Sequence, residues 1–574
     1  MLFSELSKYF QKLEQTASRN EMTVILSDLF KKASSSEIGE ICYLLQGRVA
    51  PLYEAIEFGI ADKLMIRAIA SAYKIPDSDV LKRFKKHGDL GITGEEVSSI
   101  KYQVSSIKKH TIHEVYTTLK ELAHLGGSGS QDKKIQLLST LFSTSDSLSV
   151  RYLARIPLNK LRLGFSDMTI LDGLSWMLTA DKSHRKRLEL AHDVRPDLGY
   201  IAVQVKEQGI RGVSHIHAKV GAPILAALCQ RLPNAEEMIA KMGEVDVEPK
   251  FDGVRTQIHF KNKDHWVQSY SRNLENTTAM YPELTHIASQ IHADEVILDS
   301  EAVGYDEKTN RIIPFQETVT RKRKHDVMLF SKSVPLRFFV FDILAKNGED
   351  LMNIPLSKRR VILEKTIVAG PILSVSSHIV TSDIQILRDY HTDQIQQGLE
   401  GVVVKKWDGI YEPGRRGYTW VKFKEEGKIG KLADTVDCVV MGYYKGEGKR
   451  TSFGIGALLV GVKKGDTFVT ITKIGTGVAD ELWKKLKKIL NENSSQNKPK
   501  EYEVIDKTLE PDVWVNPSMV VEIAADDITK SPVHGAKFAL RFPRLVRIRT
   551  DKSIDQITTT QELDTMYHNQ ESIV

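Results

Sequence analysis

The chain has 574 residues, 41% hydrophobic and 27% charged, enough to bury several cores and, by length, to form three or four domains. A net charge of +6 and a pI near 8.8 permit binding to polyanions without specifying one, since basic residues must cluster to act together. Cys42, Cys229 and Cys438 stand too far apart for a CxxC zinc site or a disulfide framework, and no run of about twenty apolar residues could span a membrane.

From residue 1 to about 220 the apolar residues recur at helical spacing: Leu6, Tyr9, Phe10 and Leu13 share one face, and Met22, Ile25, Leu26 and Leu29 another. Ser18 with Glu21, and Ser34 with Glu37, have the spacing of capping boxes. "GGSGSQDKK", Gly126 to Lys134, predicts a flexible loop between helices of one domain. The opening "MLFSELSKYFQKLEQ" has helical spacing and no continuous apolar core, so neither secretion nor a membrane is expected. Reduced cysteines and no long basic leader lead us to expect a prokaryotic cytoplasm, with the protein at the nucleoid.

After about residue 223 the period changes to two, in "VDVEPK", "VRTQIHF", "HWVQSYS", "EVILDSEAVGY", "LRFFVFDIL", "GVVVKK" and "TWVKFK", with helical patterns between some of them. That predicts an α+β domain. Beyond about residue 428 come "TVDCVVMGYYKG", "GALLVGVKKGDTFVTITKIG" with a turn at Lys464-Gly465-Asp466, a helix around Leu482 to Leu490, and the strands "MVVEIA" and "RLVRIRT". Short strands with one helix suggest a small barrel of OB-fold type. The expected architecture is multidomain: an all-α domain over 1–222, an α+β domain over 223–427 and a C-terminal β-barrel over 428–574.

Strand alternation assigns faces to the charged residues. In "VDVEPK" it puts Asp246, Glu248 and Lys250 on one side, and a hairpin turn at Asp252-Gly253 would put Arg255, Gln257 and His259 on one side of a return strand. A solvated surface hairpin would carry the same residues, so the context must decide. In "TWVKFK", Trp420, Lys422 and Lys424 oppose Val421 and Phe423, and two ammonium groups on one face repel unless an anion lies between them. Glu400 opens the apolar run "GVVVKK", where a carboxylate needs a cation or a donor. Asp299 and Glu301 share a face, as do Phe339 and Phe341, which offer a surface for a stacked base or an ordinary aromatic core. Arg415 and Arg416 lie in the glycine-flanked "YEPGRRGYTW", and either can fork onto phosphate.

Residues 250–255, "SRNLE", "DSEAVGYD", "LRFFVFDIL", "LEGVVVK", "YEPGRRGYTWVKFK" and "LRFPRLVRIRTDK" together resemble, in order, the motif set of the ATP-dependent DNA ligases. The segments "FSELSKYFQKLEQTASRNEMTVILSDLF" and "RYLARIPLNKLRLGFSDMTILDGL" resemble the helical DNA-binding domain of the three-domain archaeal and eukaryotic-replicative type. The resemblance covers nearly the whole chain, and "APILAALCQ" departs from the family's usual run there.

The resemblance implies that Lys250 attacks the α-phosphorus of ATP to form a lysyl-adenylate and release pyrophosphate. It implies further that Glu248 reads the adenine amine, Phe341 stacks on the base, and Arg255 and Glu301 hold the ribose side. Arg272, Arg416 and Lys422 match nucleotide-binding positions, and Lys424 a second phosphate contact. Glu400 with Glu301 would hold Mg²⁺ or Mn²⁺, and Arg547, Arg549, Asp551 and Lys552 match the last motif, in the C-terminal domain. Arg416 is chosen over Arg415 on its spacing to Lys422. A free lysine titrates near about 10.4, so a nucleophilic lysine needs help; surrounding cations are expected to hold Lys250 partly uncharged.

The expected activity is the sealing of single-strand nicks in duplex DNA during replication, repair and recombination, by a monomer. Lys160 and Arg162, beside a capped helix start at Ser166-Asp167, and "TRKRKHD" from Thr320 to Asp326, are candidate phosphate contacts. An RNA ligase or a capping guanylyltransferase shares the lysine motif, but the long helical leading domain argues against both. No QxxLxxFF-type run stands out, so a sliding clamp as a partner stays open.

Overall fold

The computed structural model describes the chain except residues 102–107, 233, 307–310, 314–334, 425–434, 447–452, 476–477, 479 and 572–574 and the side chains of 101, 416 and 569–571. It divides into two compact units, Met1–Lys424 and Glu425–Val574. No helix among the described residues is long and apolar enough to cross a membrane.

The first part of the larger unit is helical, as the spacing predicts. Helix Phe3–Gln15 buries Leu6, Tyr9, Phe10 and Leu13, and helix Arg19–Lys32 buries Met22, Leu26 and Leu29, all in one core that runs to Val213. Ser34 and Glu37 close a full capping box. Ser18 accepts from the Glu21 N–H at 3.4 Å, but the Glu21 carboxylate takes the Thr16 hydroxyl instead of returning the bond. Two expectations fail locally. Ser166 makes no side-chain cap for helix Asp167–Thr179. The predicted loop is shorter, because helix Ser130–Ser143 starts within it, after Gly127 and Gly129 turn the chain at φ of +79° and +76°.

Two sheets follow. The first has strand order Leu228–Arg231, Arg416–Lys424, Gly401–Lys406, Val245–Pro249 and Ile379–Thr381. The second runs Trp266–Ser271, Val254–Lys261, Glu295–Asp306, Leu336–Lys346 and Glu349–Asp350. The predicted hairpin at Asp252-Gly253 is therefore wrong. Val245–Pro249 pairs with Gly401–Lys406, placing Glu248 opposite Val403, whereas Val254–Lys261 pairs with strands of the other sheet. Residues 250–253 cross from one sheet to the other. Alternation is local and does not say which strand will be the neighbour.

The crossing needs its glycine. A Cβ on Gly253 would lie 2.5 Å from the Ala302 carbonyl oxygen, so the segment can lie against strand Glu295–Asp306 only without one. Behind the second sheet, Arg359 of helix Leu356–Thr366 forks onto Asp342 at 2.8 and 3.0 Å with both side chains fully buried.

The smaller unit, described by itself, is the expected β domain. Val436–Tyr444 pairs with Ala457–Lys464, which turns at Gly465 into Thr467–Ile474, and on its other side with Val513–Val515 and Val520–Ala524. The amphipathic helix Asp480–Glu492 covers this sheet with Trp483, Leu486 and Leu490.

Arg359→Ala leaves Asp342 buried without its cation, and is expected to cost about 3–5 kcal/mol. A urea unfolding midpoint equal to wild type contradicts that.

Candidate active site

The crossing segment and both sheets wall a cavity of about 600 Å³. Among its lining residues are Glu248, Lys250, Arg255, Arg272, Glu301, Phe341 and Lys422, seven of the predicted positions drawn from distant stretches of chain. The side chain of Arg416, and the Thr320–Asp326 run, lie outside the described residues. Arg415 lines a different cavity, with Tyr411 and Leu190.

Lys250 follows directly on strand Val245–Pro249. Its N–H donates to the Gly401 carbonyl at 2.9 Å, and its own carbonyl accepts from the Glu400 N–H at 3.3 Å, so the two side chains leave the backbone side by side. The Lys250 amine forms an ion pair with Glu400, and Lys424 reaches the same carboxylate oxygen at 3.1 Å. Gly401 permits this approach, because a Cβ there would lie 2.2 Å from the Phe423 carbonyl oxygen and the residue sits at φ +122°.

Among the protein groups alone the charge balance at the amine runs opposite to the expectation, which also counted the metal ion. Burial alone would lower the Lys250 pKa, but the Glu400 carboxylate outweighs it, aided by Glu301 and Asp252, and holds the amine above the ordinary lysine value. Burial likewise pushes Glu400 up, and Lys250 and Lys424 pull it below the usual carboxylate range. Arg255, expected to repel the Lys250 proton, is itself neutralised: Asp299 binds it at 3.0 and 2.6 Å, and Tyr411 donates to that carboxylate at 2.8 Å. Burial drives Glu301 up to about 7, against the pull of Lys250 and Arg255.

Of the two phenylalanines expected to offer a stacking face, only Phe341 lines the cavity. Phe341 meets Trp420 edge-on at 5.9 Å, with Lys405 4.8 Å and Arg255 5.4 Å from its ring centre. Phe339 instead stacks on Phe251 at 4.3 Å. Alternation holds in strand Arg416–Lys424: Lys422 faces the cavity, while Val421 and Phe423 enter the core on the far side.

Models of three families match in order along the chain: the DNA ligase N terminus over residues 2–175, the ATP dependent DNA ligase domain over 223–424, and the ATP dependent DNA ligase C terminal region over 451–552. A probable DNA ligase of Dictyoglomus thermophilum is 44% identical, across 99% of this chain and 98% of its own length. The chain belongs to the ATP-dependent DNA ligase family. The DNA ligase of Sulfurisphaera tokodaii is 37% identical to this ligase over 99% of the chain and 97% of its own. A solved structure named Pmar-Lig_PreS3, 16% identical, covers 95% of the ligase and 99% of itself with a TM-score of 0.55, a likeness of fold alone. The activity is that of the family, the ATP-dependent joining of DNA strands at nicks.

The other predicted residues are tied down in their own parts of the ligase. In the smaller unit Arg547 donates to Glu522 at 2.6 Å, Arg549 spans Asp437 at 3.0 Å and Asp551 at 2.8 Å, and Lys552 reaches Asp437 at 2.5 Å. In the helical region Lys160 pairs with Asp62 at 3.0 Å, and Arg162 with Asp89 at 3.1 Å. Both basic side chains stay about half exposed.

Sequence reasoning missed Lys405, Arg360 and Tyr411. Lys405 had a signal: it alternates with Val402 and Val404, which enter the core, so it faces the cavity. Arg360 and Tyr411 had none, since their partners lie far away in sequence.

Glu301 favours its protonated form in the folded ligase up to about 7, while an unfolded carboxyl ionises near its ordinary value, so this group costs stability as pH rises between them. Glu301→Gln removes that cost. Its urea midpoint, relative to wild type, is expected to rise from about pH 5 to about pH 8. A constant difference contradicts the shift.

Proposed function

We propose that this ligase seals nicks in duplex DNA through an adenylate on Lys250. The observation that carries the reading is the convergence of Lys250, Glu248, Arg255, Glu301, Phe341 and Lys422 on one cavity between two sheets. In the first step the uncharged Lys250 amine attacks the α-phosphorus of ATP. A P–N bond forms, the P–O bond to the β-phosphate breaks, and pyrophosphate leaves. The amine's extra proton has to be lost beforehand, so the ion pair with Glu400 must open. AMP then passes from Lys250 to the 5′-phosphate of the nick. Last, the 3′-hydroxyl attacks that phosphate, forming the phosphodiester and releasing AMP.

Each side chain has a role matched to its chemistry. Phe341 gives the base a flat apolar face, and Glu248 accepts from the 6-amino group. Arg255 with Glu301 binds the ribose side, with Asp299 fixing the guanidinium plane. Lys422, Arg272 and Arg416 bind phosphate oxygens, with Lys424 as a second contact, and favour the crowded charge of the transition state. Arg547, Arg549, Asp551 and Lys552 serve the pyrophosphate end during the first step.

Glu301 and Glu400 supply hard oxygen donors of the kind Mg²⁺ or Mn²⁺ takes. No group of three or more metal-binding side chains occurs among the described residues, so nucleotide oxygens would complete the coordination. Such an ion supplies charge neutralisation at the phosphates. Lys160 and Arg162 contact backbone phosphates, so recognition is independent of sequence; action as a monomer is a separate part of the same reading. The domain boundaries at 222/223 and 427/428, duty in replication, repair and recombination, and cytoplasmic residence belong to the same reading.

Radiolabel from [α-³²P]ATP is expected to attach covalently to the wild-type protein and to be absent from Lys250→Ala; equal labelling of the variant refutes the nucleophile. Sealing of a 5′-phosphorylated nick with ATP, NAD⁺ or GTP supplied separately is expected with ATP, and failure with ATP alone refutes the reaction. Lys422→Ala is expected to slow single-turnover adenylylation by about a hundredfold or more. An unchanged rate removes Lys422 from phosphate stabilisation.

A further inference from the structure

Glu248 belongs to the cavity wall, yet both its oxygens are already held from behind. Arg360 Nη1 donates to Oε1 at 2.8 Å, and Lys405 Nζ donates to Oε2 at 2.7 Å. All three side chains are at most 4% exposed. Lys405 lines the cavity itself and also donates to the Phe341 carbonyl at 3.1 Å. Arg360 does not line it. It stands on helix Leu356–Thr366, where Glu364 at 2.9 Å and the Ser376 carbonyl take its other N–H groups and fix the plane of the guanidinium.

A second carboxylate could have competed for these cations. Asp246 lies on the same face of strand Val245–Pro249 and opposite Lys405 in the ladder. It is instead bound by His378 at 2.5 Å, which leaves the Lys405 ammonium to Glu248. Burial pushes the Glu248 carboxyl upward and Lys405 and Arg360 pull against it, so its ionised form leans on both cations. A protonated carboxyl would present a hydroxyl donor to the base where an acceptor is needed, and one without Arg360 would keep only the Lys405 bond to fix its orientation.

We propose that Arg360 is a positioning residue for base selection: acting through Glu248 from outside the cavity, it holds that carboxylate as an acceptor and so sets the preference for a 6-aminopurine nucleotide. The inference rests on the reading above, in which Glu248 takes the 6-amino hydrogen. A site built to accept that hydrogen penalises a nucleotide lacking it, because the buried carboxylate then goes unanswered.

The test is adenylylation of Lys250 in the full chain, over a range of concentrations of ATP and, separately, of purine riboside 5′-triphosphate, which lacks the 6-amino group. Wild type is expected to prefer ATP. Arg360→Met is expected to reduce that preference by about tenfold or more, through a higher KM for ATP with a smaller change in kcat, and Arg360→Lys to restore part of it. Partial unfolding lowers turnover of both nucleotides equally and leaves the ratio alone; should Arg360→Met not be recoverable, Arg360→Gln gives the same comparison. An unchanged ratio in the variants overturns the positioning role and leaves the Glu248 reading standing. No preference in wild type overturns both.

Discussion

The chemistry of this ligase hangs on one carboxylate beside one amine. Glu400 binds both Lys250 and Lys424, and the pairing is enforced by the main chain, because the hydrogen bonds between Lys250 and the Glu400–Gly401 peptide set the two side chains next to one another. Without nucleotide the amine is therefore a stored ammonium, where a crowd of cations would have made it a primed nucleophile. The distinction matters because the phosphates that Lys250 must attack also compete for its positive charge. A nucleophile held protonated is unreactive towards stray electrophiles, and its release becomes a consequence of rearranging the charges around it.

That arrangement follows from the crossing of residues 250–253 between two sheets. A hairpin would have left Glu248 and Arg255 on adjacent strands of one surface; the crossing puts them on two sheets that line one cavity, with Lys250 in the segment that joins those sheets. Gly253 makes the passage possible at its tightest point. The buried ion pairs behind the walls, Arg255 with Asp299 and Arg360 with Glu248, cost desolvation that an apolar core would avoid, and they hold polar groups in fixed orientation. Such expense is understandable where orientation is the product.

Much of this was legible in the sequence. The helical spacing of Leu6, Phe10 and Leu13, the alternation in "VDVEPK" from Val245, and the opposition of Lys422 to Val421 and Phe423 are local properties, and each reappears in the structure. Two of the errors share a cause. The hairpin at Asp252-Gly253 and the cation-primed Lys250 each depended on which distant group would be near, and no local period carries that; the missing cap at Ser166 is a local failure. Family resemblance pointed to Glu248, Phe341 and Lys422, which line one cavity, yet it said nothing of Arg360 or Lys405, whose partners are chosen by the packing of a helix and a neighbouring strand.

The most direct test of the stored-ammonium account is the titration of Lys250 itself in nucleotide-free and metal-free protein. The pH dependence of its labelling by an amine-reactive anhydride, read by mass spectrometry of the peptide that contains it, gives the value in wild type and in Glu400→Gln. The account predicts a pKa above that of an ordinary lysine in wild type and a lower one in the variant, where burial acts with one carboxylate fewer to oppose it. A wild-type value below the ordinary range, or equal values in the two proteins, would contradict it.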